Sequence, residues 1–225
     1  MNKLTGTFLM TLGLWALFVV DPGRFHSHGS SNTQPRKVCP PEGRAKKASQ
    51  KLSDEDKEFN RKKNMPANVP AGSPEVLQLE DLLQGTTEVD DSEDFNEGVY
   101  VEINDAYLID YKQQKGESCN CYYANTDKSK GDIHINIGRE ESLTILDNNQ
   151  YMVVEITPSY KLLHPDFLAK LKSIKGKKVT IRGYLFYDKE HNRNSVNYCT
   201  TCSDKGVWRK TCWEIHPVTF IGATQ

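Results

Sequence analysis

Near the C-terminus, Trp213-Glu214-Ile215-His216-Pro217-Val218-Thr219 alternates so regularly that it reads as a strand with two unlike faces. Trp213 and Ile215 share one face, Glu214 and His216 the other. Gly131-Asp132-Ile133-His134-Ile135-Asn136-Ile137-Gly138 repeats the pattern, with Ile133, Ile135 and Ile137 as the apolar row and Asp132 and His134 opposite. Two strands that each send an acid and a histidine away from an apolar row restrict the chain to a β architecture whose outer face gathers ionisable groups.

Further strands follow from the same periodicity. Val99 to Tyr111 is rich in β-branched and aromatic residues and is interrupted at Asn104-Asp105. Tyr151 to Thr157 is a third strand closed by Pro158, and Lys178 to Tyr187 a fourth, where Gly183 signals a bulge or bend. Between them Pro165 to Ile174 carries Phe167, Leu168, Leu171 and Ile174 at helical spacing, and Gly176 follows as a stop. Three strands, a helix and two strands is the element order of an OB-fold, so residues 97–225 are expected to form a mainly β domain. That domain is a small five-stranded OB-like barrel with one short α-helix between strands 3 and 4.

The chain upstream is different. Met1 to Lys3 and the apolar run Leu4 to Val20 read as a signal peptide or signal anchor over residues 1–22. It would meet the membrane through residues 4–20 and place the remainder in the periplasm or cell envelope, anchored or secreted. Residues 23–96 are dominated by Gly, Ser, Pro and charged side chains and are expected to be a flexible tether. Within it Ser53 to Asn64 has the pattern of a short helix, with Ser53 as N-cap, acids early and bases late. Val76 to Leu83 can form an amphipathic turn or two that docks on the domain.

In an OB-like barrel the third strand lies between the second and the fifth. Glu155 would then face outward between Asp132 with His134 and Glu214 with His216, and His191, with Asp188 and Glu190 in the loop after the fourth strand, can reach the same patch. Imidazole and carboxylate together suit a borderline divalent cation, zinc or manganese, which also relieves the repulsion among the acids. The plainer reading is that these are polar strand surface paired as acid-histidine hydrogen bonds. Cys119, Cys121, Cys199 and Cys202 fall in two loops that adjoin each other in this fold. Outside the cytoplasm they are expected to form disulfides between the loops, with Cys39 and Cys212 as a third pair, and in a reducing compartment a zinc knot.

Glu117-Ser118-Cys119-Asn120-Cys121, Asp132-x-His134-Ile135, Val153 to Pro158, Gly183-Tyr184-Leu185, Asp188-x-Glu190-His191 and Trp213 to Pro217 together resemble an uncharacterised family of bacterial exported proteins. The resemblance covers roughly residues 98–221, together with the Cys39 and Lys63-Asn64 arm, and implies an OB-like barrel without an activity. The insert Asn197 to Lys210 departs from that group.

These features favour an anchored or exported binding module whose acid and histidine surface site takes a metal or a small polar ligand. The alternative is a metal-dependent hydrolase of phosphodiesterase or nuclease type, with Arg182 and Arg209 as anion clamps. Single-stranded nucleic-acid binding would use Tyr122, Tyr123, Tyr184, Phe186 and Trp208 for stacking. It is disfavoured by an acidic patch and a net charge of -1. With no global field for an anionic partner, any such contact has to be local. The sequence holds no Walker loop, dinucleotide fingerprint or serine nucleophile elbow.

Overall fold

Strand β2 (Tyr100–Gln113) is long enough to serve two partners, because it bends where Asn104 and Asp105 interrupt its alternation. Its first half pairs antiparallel with β5 (Lys178–Tyr187) and its second half with β3 (Ile133–Gly138). Strand β4 (Tyr151–Ile156) pairs antiparallel with β3 and parallel with β6 (Trp213–Ala223), which returns antiparallel to β5. The β2 to β5 pairing closes these five strands into a barrel. A two-residue strand, β1 (Glu75–Val76), adds to β2 in parallel. The computed structural model describes residues 39–65, 67–84, 95–141, 151–198 and 206–224. The apolar run 4–20 expected as a signal or anchor lies outside them, and among the described residues no helix is long and apolar enough to cross a membrane.

Alternation decides which face is the core. Ile133, Ile135 and Ile137 of β3, Val154 and Ile156 of β4, and Ile215 and Val218 of β6 all point into one apolar cluster with Val101, Ile103, Val179 and Ile181. Gly183 is required by the closure of β5 on β6. A Cβ there would lie 2.3 Å from Ile215 Cγ2 and 2.4 Å from the Pro217 carbonyl oxygen, and the register slips on either side of it.

Two helices, rather than the single one expected, connect β4 to β5. The Thr157 side chain caps α3 (Pro158–Leu163), whose first residue is the proline read as a strand stop. Proline suits that position because its missing N–H would have no partner there. The second helix, α4 (Phe167–Ile174), buries Phe167, Leu171 and Ile174.

The described part of 23–96 is not a free tether, and the barrel domain begins well before residue 97. Helix α1 (Asp54–Lys63) has the expected Ser53 N-cap, here part of a capping box in which Ser53 and Asp56 each accept from the other's backbone N–H. It lies on the barrel through Phe59, whose ring is 5.2 Å from that of Phe186. Helix α2 (Leu79–Gln84) buries Leu79, Leu82 and Leu83 in the main core, and the Leu79 N–H donates to Asp105. Polar composition misleads here because α1 attaches through one aromatic and several side-chain hydrogen bonds rather than through an apolar stripe.

Gly183→Ala forces the new methyl against backbone and a branched side chain. It should destabilise the domain by roughly 1–3 kcal/mol, read as a lower urea midpoint at unchanged slope.

Candidate metal centre

The outer face of β3, β4 and β6 carries the groups that the alternation places there. His134 stands opposite Glu155 in the β3/β4 register, and Glu214 beside Val153 in the β4/β6 register. The His134 Nε2 atom is 2.6 Å from Glu155 Oε1, and His216 Nδ1 is 3.0 Å from Glu155 Oε2 and 3.8 Å from Glu214 Oε2. The face is not a solvent patch as expected: Glu155 and Glu214 are 0% exposed, His216 1%, Asp132 2% and His134 7%.

What covers it is the segment read as a tether, together with the cysteine loop. Cys39 is disulfide-bonded to Cys121. The Arg44 N–H donates to the Ser118 carbonyl, Ser118 Oγ to Asn60 Oδ1, and Asn64 Nδ2 to the carbonyls of Pro41 and Cys119. The loop itself is held in an unusual path, with Cys121 and Tyr122 both at φ +56°, a left-handed conformation that non-glycine residues adopt at a cost. From this lid Lys63 reaches in, its Nζ 3.3 Å from both Glu117 Oε2 and Asp188 Oδ2.

The disulfide corrects the expected pairings. Cys39 joins Cys121 instead of Cys212, and Cys119 and Cys212 are buried free thiols. Cys199 and Cys202 lie outside the described residues. The arm docks on the first cysteine loop, so Cys121 is the partner brought to Cys39.

Arg209 is not an anion clamp. It is fully buried, its Nη1 2.5 Å from Glu214 Oε1 and its Nε donating to the Thr211 carbonyl at 2.6 Å. Arg182 is remote in role: it pairs with Glu102 at 2.5 Å and stacks on Phe220. His191 attaches to the edge of the network, 3.9 Å from Asp188. Of the aromatics considered for stacking on bases, Phe186 is buried against Phe59 and His216, and Tyr184 packs on Tyr100. Asp188 joins the network from the loop where the sequence placed it with His191, and Lys63 is the member that sequence reasoning did not assign to the cluster. Lys63 ends a basic turn, Arg61-Lys62-Lys63, and carries no pattern that marks it as buried.

Charge bookkeeping constrains what the cluster can do. Four buried carboxylates, Asp132, Glu155, Asp188 and Glu214, face two permanent buried cations, Lys63 and Arg209. The deficit is two positive charges, which either two imidazolium protons or one divalent cation can supply. Burial alone would raise the Glu155 carboxyl, but His134, His216 and Lys63 hold it well below the usual carboxylate range. Burial opposes protonation of His216, yet Glu155 prevails and lifts it to about 10; His134 is raised by the same carboxylate. Asp132 is pushed up to about 6 by burial and by the Glu155 charge.

Protons balance the charge but leave the donor–acceptor alignment poor. Despite the short approaches, His134 Nε2, His216 Nδ1, both Glu155 oxygens and Glu214 Oε2 are buried outside hydrogen-bonding alignment. One donor atom each from Glu155, Glu214 and His216 lie within 4.8 Å of one another. Ligands around one zinc ion at about 2.0–2.2 Å are within roughly 4.4 Å of each other, so a small adjustment closes such a shell. Glu117, Cys119 and Asp132 are similarly near one another. Those groups are otherwise engaged, since Asn120 Nδ2 donates to Asp132 at 2.9 Å and burial keeps the Cys119 thiol protonated. Comparison with family models, curated proteins and solved structures found no match for this chain.

Removing Arg209 leaves Glu214 buried without its counter-charge. Arg209→Ala should cost about 3–5 kcal/mol in urea unfolding, with Arg209→Met/Glu214→Leu recovering most of it. The His216 proton gives a second expectation. Because its folded value, about 10, lies above its ordinary 6.5, its contribution to stability is complete below pH 6.5 and is lost as pH rises through 10. Urea midpoints of chelator-treated protein should fall across that window, and His216→Gln should flatten the profile.

Proposed function

We propose that this chain is an exported, OB-like binding module whose acid and histidine cluster holds one divalent cation, zinc or manganese. The observation that carries it is the convergence of Glu155, Glu214 and His216, buried and lacking aligned hydrogen bonds, in a network two positive charges short. The strand order β2-β3-β4-β6-β5, closed by β2 on β5 with helices between β4 and β5, supports the OB-like reading. An oxidising compartment is supported by the Cys39–Cys121 disulfide, and the membrane contact of residues 4–20 by composition alone.

In this reading Glu155 and Glu214 supply carboxylate oxygens and His216 its Nδ1, while His134 orients Glu155 from the far side and Arg209 fixes the second oxygen of Glu214. A bound cation would act as a Lewis acid toward any polar group that reaches it. His216 also lines a cavity of about 220 Å³ bounded by Lys62, Met65, Glu97, Gly98, Leu185 and Phe186, which provides a route for a small polar ligand. The hydrolase alternative is weakened by the loss of its clamps, since Arg209 is spent on Glu214 and Arg182 on Glu102.

The full chain, stripped with a chelator and returned to zinc or manganese, should take up one equivalent by native mass spectrometry. It should gain about 2.7 kcal/mol when free metal stands at a hundred times Kd. Glu155→Gln and His216→Ala should lose both effects while each keeps a cooperative unfolding transition. Parent protein that unfolds cooperatively yet neither binds metal nor gains stability from it would defeat the reading and leave the cluster as a proton-balanced network.

A further inference from the structure

Large apolar side chains are rarely left in water next to one another. Of the seven that are well exposed among the described residues, three fall within seven positions at the α3–α4 corner: Leu162 at 75%, Leu163 at 62% and Leu168 at 51%. Each helix has already buried its other apolar residues, Tyr160 on α3 and Phe167, Leu171 and Ile174 on α4. The exposed leucines are therefore surplus to the core.

The stretch of chain that carries them is strongly basic. Between positions 161 and 178 there are six lysines and a single acid, Asp166, in a chain whose net charge is -1. Lys172, Lys177 and Lys178 are exposed. Lys170 lies over the Phe220 ring at 5.0 Å, itself partly exposed, and Lys175 pairs with Asp110 at 2.6 Å. Lys161 is turned inward to the Gly131 carbonyl. Exposed leucines in a lysine-rich stretch of chain match a surface that is apolar in depth and anionic at its face.

We propose that the α3–α4 corner docks on an anionic phospholipid bilayer, with Leu162, Leu163 and Leu168 entering the headgroup boundary and the lysines meeting lipid phosphates. None of these leucines belongs to the cation cluster. A nucleic-acid backbone would also attract the lysines. It fits less well because aliphatic leucines offer no stacking platform, whereas bilayer insertion uses them directly.

The test is co-sedimentation of the full chain with phosphatidylcholine vesicles, with and without phosphatidylglycerol. Residues 4–20 can partition into either, so the readout is the difference between the two lipid mixtures. Parent protein should bind the anionic vesicles more tightly, and raised salt should reduce that preference. Leu163→Glu/Leu168→Glu should weaken anionic-vesicle binding by at least about tenfold, and Lys172→Glu/Lys177→Glu should abolish the preference. All four positions are exposed, so unchanged urea midpoints should accompany the loss. Equal binding to both mixtures, or leucine variants that bind like the parent, would overturn the proposal. So would single-stranded oligonucleotide binding that falls with the lysine variant while vesicle binding stays constant.

Discussion

The Glu155 carboxylate is the group on which the remainder of this structure depends. It sits on a central barrel strand with no exposed surface, where an isolated charge would cost many kcal/mol. It keeps its charge because histidines from two neighbouring strands approach it and Lys63 contributes from outside the barrel. That last contribution explains why the N-terminal arm cannot be a loose tether: the lysine must be held in place, and a disulfide and several side-chain to backbone hydrogen bonds hold it.

The barrel was legible because its signal is local. Period-two alternation in β3 and β6 places the isoleucines inward and the acids and histidines outward, and the register confirms both assignments. The grouping of Glu155 with His134 and His216 was legible for the same reason once the third strand was set between the second and fifth. The solvent exposure of that face was not, because alternation separates core face from outer face and is silent about what lies over the outer one. Here much of the cover comes from the arm between Cys39 and Asn64, far upstream of β4, as the Cys39 to Cys121 span of 82 residues illustrates for the loop. Lys63 ends the basic last turn Arg61-Lys62-Lys63 of a charged helix and has no sequence mark that separates it from its solvated neighbours.

Arg209 shows how burial reverses the meaning of a residue. At the surface a guanidinium near two cysteine-rich loops suggests anion recognition. Under the barrel's outer layer the same group is committed to Glu214 and to the carbonyls of Thr211 and Trp213. A buried ion pair of this kind adds little net stability against an apolar substitute, but it fixes one oxygen of Glu214 and leaves the other directed at His216. The pair thus acts on geometry more than on stability.

The same logic weighs cation against protons. A cluster neutralised by imidazolium protons gains most when each N–H points along an oxygen lone pair, because charge-assisted hydrogen bonds are short and directional. A cation is less demanding: it attracts any lone pair that faces it, and ligand atoms gather round a common centre rather than pairing off. The Glu155, Glu214 and His216 atoms are arranged in the second way, close to one another and misaligned as donor and acceptor. Protonated His216 then describes the form without an ion, and a divalent cation would have to displace that proton to bind there.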